Sequence, residues 1–119
     1  MPARSMTIVC APVAVEGLIG RTWGRADRVA IATVGQDGID TWEEFEVGWG
    51  ALHDAGTEGS HHARIARFLL EHKVECVTAD HMGAGMTHML GKMGLHVQLG
   101  ESGNAREAAL RAFRGFADR

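Results

Sequence analysis

Three stretches hold side chains able to bind a metal or an anion: "GRTWGRADR" at 20–28, "GSHHARIARFLLEHK" at 59–73 and "ADHMGAGMTHML" at 79–90. A neutral imidazole offers a lone pair to a metal, and clustered guanidinium groups offer charge with several directed donors. His81 and Met82 fall in the turn after a short apolar run, where no helix axis dictates their direction, and Gly83 follows them. His61 and His62 open a helix and straddle its inward face, where free backbone N–H groups also suit an anion. His53 lies in the glycine-rich stretch just before. His53, His61, His62 and His81 are therefore candidate metal ligands from separate connectors, although their loose spacing is far less specific than a CxxC or HExxH signature. Arg21, Trp23 and Arg25, with Met82 and Gly83, complete the candidate site, the two arginines offsetting charge on an anionic ligand.

Other residues of chemical interest read as structural. Met86, Met89, Leu90 and Met93 project onto one helical stripe and suit a core face, whereas His88 projects nearly opposite, toward solvent. His72 and His96 sit at element ends. Cys10 and Cys76 lie inside apolar runs with no basic neighbour, as buried free thiols do. A nucleophile elbow and a Walker-type phosphate loop are both absent, and "MGAGMTH" lacks the third glycine of a dinucleotide fingerprint. Asp80 suits a metal-dependent hydrolase by position, but the first strand carries no acid to pair with it, which argues against a two-metal nuclease.

The elements that must position these residues follow from hydrophobic period. "MTIVCAPV" (6–13) and "RVAIATV" (28–34) have strand length, Asp37-Gly38 supplies a hairpin turn, and "IDTWEEFEVG" alternates as a third strand. Residues 48–59, with four glycines and no period, read as a loop. From Ser60, a possible N-cap, Ile65, Phe68, Leu69 and His72 form a helical stripe. Then come a strand at 74–79, a short helix at 83–94, a strand at 95–100 and a closing helix capped by Asn104. The order βββαβαβα predicts an α/β protein with a mixed five-stranded sheet covered by helices. Ligands in such folds bind beyond the carboxyl ends of parallel strands, which directs attention to the loops at 12–27, 48–60 and 80–84.

Length and composition bound the reading. The chain has 119 residues, 45% hydrophobic and 23% charged, which suits one soluble domain over 6–117 with a flexible tail at 1–5. The start reads better as a strand than as a signal peptide, and with buried thiols it predicts a cytoplasmic protein. A net charge of −3 gives no field for nucleic acid, and no apolar stretch suits a membrane. A solvent-facing third strand or a Trp49 patch would suit a weak homodimer; otherwise a monomer is expected.

The chain also resembles the dinitrogenase iron-molybdenum cofactor biosynthesis family, the small NifX-like and NafY-like domains also found at the end of NifB proteins. The likeness runs from about Met6 to Phe116 and rests on "WGRA" (23–26), "GSHHARIARFLLEHKVECV", "MGAG" and "GLHVQLGESGNAREAALRAF" in this order and spacing. It implies a ribonuclease-H-like three-layer fold and, as in most members, no catalytic role. It also implies transient binding of an iron-sulfur or iron-molybdenum cluster, with a cofactor-assembly or acceptor protein as partner. Thr22 stands where many members have a histidine before the aromatic-Gly-Arg unit, which removes one expected ligand. The alternative reading is a metal-free small-molecule or protein-interaction module of the same fold.

Overall fold

A computed structural model describes residues 6–119; the expected tail at 1–5 lies outside the described residues. The β-branched runs form strands β1 (Thr7–Pro12) and β2 (Arg28–Gly35), and β3 (Gly38–Glu46) returns through the tight turn. Gly38 holds a φ of +115°, a conformation that L side chains rarely adopt, so the hairpin closes here at little steric cost. The chain continues through α1 (Trp49–Ala55), α2 (Glu58–Glu71), β4 (Cys76–Thr78), α3 (Ala84–Lys92), β5 (His96–Gln98) and α4 (Ala105–Ala117).

The sheet has the order β3-β2-β1-β4-β5. β1 pairs antiparallel with β2 and parallel with β4, and β5 extends the parallel side. Alternation along β1 sends Cys10 to one face and Val9 to the other. On the Cys10 face Trp49 of α1, Ile65 and Leu69 of α2, and Met86 and Leu90 of α3 pack with Val29, Ile31 and Val77. On the Val9 face α4 presents Ala109 and Ala112 to Ala32, Val34 and Cys76. Small side chains let this helix lie close to the strands, and Asn104 caps it by accepting from the Arg106 and Glu107 N–H groups at 2.9 and 3.1 Å. Helices thus cover both faces, giving three layers.

Three expectations need correction. Residues 48–59 are not a loop throughout, because α1 occupies Trp49–Ala55. Its only buried residue is Trp49, so no hydrophobic stripe betrayed it. The next helix begins earlier than expected: Thr57, not Ser60, is the N-cap, its side chain accepting from the Ser60 N–H at 3.0 Å. Trp49 forms no surface patch; it is 2% exposed and packs edge-on against Trp23 and Phe68. As expected, the methionine stripe of α3 faces the core and His88 faces solvent. Among the described residues, no helix is long and apolar enough to cross a membrane.

Candidate functional site

Beyond the carboxyl ends of β1 and β4, the two following segments pair with each other. Thr22 and His81 form a parallel bridge, in which the His81 N–H donates to the Arg21 carbonyl at 3.1 Å and the Trp23 N–H to the His81 carbonyl at 3.2 Å. This fixes the backbone of both segments and opens a cleft of about 200 Å³ lined by Thr22, Trp23, Gly24, Arg25, His53, His81, Met82 and Gly83. Its position is the one that strand direction predicts. An imidazole, His81, stands across the bridge from Thr22.

The cleft floor is buried and packed. Trp23 is fully buried, Met82 nearly so, and the Trp23 ring meets Trp49 at 5.1 Å between centroids. Gly50 lets α1 lie directly on the 25–27 segment, since a Cβ there would stand 2.9 Å from the Arg25 carbonyl oxygen. That close approach brings His53 to the cleft wall.

The four candidate histidines divide into distinct environments. His53 and His81 line the cleft, and among the described residues neither His53 Nε2 nor either ring nitrogen of His81 has a hydrogen-bond partner. His61 lies beneath, 2% exposed, its ring edge-on to His53 at 4.9 Å. The Nε2–H of His61 donates to the Gly24 carbonyl at 2.7 Å, and its Nδ1 accepts from Arg64 Nη1 at 3.1 Å. Both ring nitrogens are thereby engaged, and the backbone N–H of His61 is spent on the Thr57 carbonyl at 3.0 Å, so the expected free amide is absent there. His62 turns toward α3, its ring 3.3 Å from where a Cβ on Gly85 would stand and 3.9 Å from Glu58 Oε1.

The arginines are likewise unequal. Arg25 Nη2 and Nη1 reach the two carboxylate oxygens of Asp54 at 3.2 and 3.4 Å, and Asp54 Oδ1 also contacts His53 Nδ1 at 3.4 Å. The hydrogen bond from Arg25, followed by that from His53, holds the Asp54 carboxyl below its ordinary value. Arg21 is exposed, gives its carbonyl to His81 and does not line the cleft. Asp54, Arg64 and the Gly24 carbonyl escaped sequence reasoning: the first two look like ordinary surface charges, and a backbone oxygen carries no signature.

Burial holds the His61 pKa below its ordinary 6.5, with the positive neighbours His53, Arg64 and His62 adding to this and the Gly24 contact opposing it. A histidine depressed on folding contributes stability that is complete above the unfolded value and is lost as pH falls through the folded one. The melting temperature is therefore expected to drop as pH falls below about 6.5, and His61→Gln to flatten that part of the profile. An equal slope in the variant would show that other groups carry it.

A larger cleft of about 520 Å³ is lined by Val13, Val15, Asp27, Arg28, Glu46 and Val47 among others, but no histidine or cysteine lines it. Its arginine is already paired with Glu46 at 2.9 Å. Among the described residues, no group of three or more His, Cys, Asp or Glu side chains is placed to hold a metal ion.

The family model described as dinitrogenase iron-molybdenum cofactor matches residues 5–115. The chain belongs to that family. Two solved structures share the fold of this dinitrogenase iron-molybdenum cofactor family member. The crystal structure of a protein named PH0822 is 18% identical, with a TM-score of 0.70 and 92% of each chain covered. The NMR structure of a Thermotoga protein, described as a candidate NifB protein of the DUF35 family, is 23% identical. Its TM-score is 0.64, with 92% of this chain and 89% of that one covered. No curated protein matches the sequence of this family member.

Proposed function

We propose that this protein is a non-enzymatic cytoplasmic carrier with a ribonuclease-H-like fold. In this reading its cleft transiently holds an anionic metal-sulfur cluster, or a molybdenum-containing cofactor or its precursor, for transfer to an assembly or acceptor protein. The observation that carries this reading is the convergence of His53 and His81 on one cleft beside Arg25, each with a ring nitrogen free of partners among the described residues. Two imidazoles cannot complete the four-coordinate shell that a lone structural zinc ion demands. They do suit a cargo whose metals arrive with sulfide or oxo ligands and need only one or two bonds from protein. Arg21, exposed beside Thr22 in the chain, and the part of the Arg25 charge that Asp54 leaves uncompensated would offset cargo charge. Trp23, Met82 and Gly83 shape the floor, His61 fixes the Gly24 segment from below, and His62 supports the side toward α3.

Anaerobic reconstitution with iron, sulfide and molybdate, followed by desalting and elemental analysis, tests the carrier role. The wild type is expected to retain metal, and the double variant His53→Ala/His81→Ala at least about tenfold less, the scale of losing metal-site ligation. A wild type that retains nothing, or a double variant that retains as much, would remove the proposal.

A further inference from the structure

Asp54 touches two members of the cleft at once, yet does not line it. A carboxylate 3.4 Å from Nδ1 favours the His53 tautomer that carries its proton there, which leaves Nε2 as the lone-pair nitrogen. This is the arrangement by which outer carboxylates orient metal-binding histidines. His61 has the opposite tautomer, Nε2–H given to Gly24 and Nδ1 facing a guanidinium, so the two edge-on rings are not equivalent. The same carboxylate forks both terminal nitrogens of Arg25, cancelling much of the positive charge that this arginine brings to the wall.

We propose that Asp54 is the positioning and specificity-determining residue of the cleft. It presents His53 through Nε2 and, by masking Arg25, tilts selection toward cargo that accepts a nitrogen lone pair and away from a bare oxyanion. This rests on the carrier reading for its cargo, but not for its geometry. Asp54 is 66% exposed at the side chain and, among the described residues, pairs only with these two cleft residues, so substitution there leaves the core intact.

Two variants separate its two tasks. Asp54→Asn keeps an oxygen for the His53 Nδ1–H but removes the charge on Arg25; Asp54→Ala removes both. Ring nitrogen chemical shifts of His53 report the tautomer without any ligand, and zinc alone and molybdate alone serve as probes, followed at His53 and His81 by NMR titration. In the wild type and Asp54→Asn the proton is expected on Nδ1, with zinc affinities within about twofold of each other. In Asp54→Ala the tautomers mix and zinc binding weakens about tenfold, the scale of losing an outer-shell partner. Molybdate binding is expected to tighten about threefold or more in both variants, as an unmasked arginine would make it. An Nε2-protonated His53 in the wild type, zinc affinity lost equally in both variants, or molybdate binding unchanged in both would overturn the proposal. If the wild type binds neither probe while its tautomer is fixed and Asp54→Ala releases it, the specificity role of Asp54 fails and its positioning role remains, whereas the carrier reading stands or falls with the anaerobic reconstitution.

Discussion

Trp23→Ala will destabilise the protein by about 3–5 kcal/mol, the range for deleting a large buried aromatic, and urea unfolding followed by circular dichroism will measure it. The ring is fully buried among Trp49, Met82 and Met86, and it supports the cleft from beneath. A domain of this size commonly has only about 5–15 kcal/mol in total, so the variant is expected to be partly unfolded at 37 °C or close to it. Trp23→Phe should cost much less. The indole Nε1–H has no hydrogen-bond partner within the described residues, so phenylalanine forfeits ring volume but no such bond. Equal losses in the two variants would mean that the full indole, and not a buried aromatic ring alone, is required for stability.

His61→Ala ranks next, at about 2–4 kcal/mol, because it opens a cavity and leaves a Gly24 carbonyl that had accepted a 2.7 Å hydrogen bond. His61→Gln should recover about half of that, since its amide nitrogen reaches about as far as Nε2. Denaturation at about pH 7.5, above the histidine transition, isolates packing and bonding from protonation. Full stability in the alanine variant would show that the Gly24 segment is held by the Trp23 and His81 backbone pairing alone.

Long β-branched runs and the Asp37-Gly38 turn made the three leading strands legible, because strand period and turn chemistry agree there. Asn104 marked the last helix for the same reason: capping is a local property that one side chain can announce. The helix at Trp49–Ala55 was hidden because its burial rests on a single tryptophan among glycines. The cleft itself was legible from strand direction, which put His53, Arg25 and His81 at the same margin. What separated His53 from His61 was not, since it depends on an adjacent carboxylate, a distant carbonyl and a guanidinium one helical turn away.

Cys10 and Cys76 are buried on opposite faces of the sheet, and burial raises both thiols, Cys76 to about 12. In the proposed carrier role the chain would bring no thiolate of its own to a cluster, so exchange of sulfide ligands would have to be initiated by the recipient. The same seclusion makes maleimide uptake by the folded protein a clock for opening of its sheet.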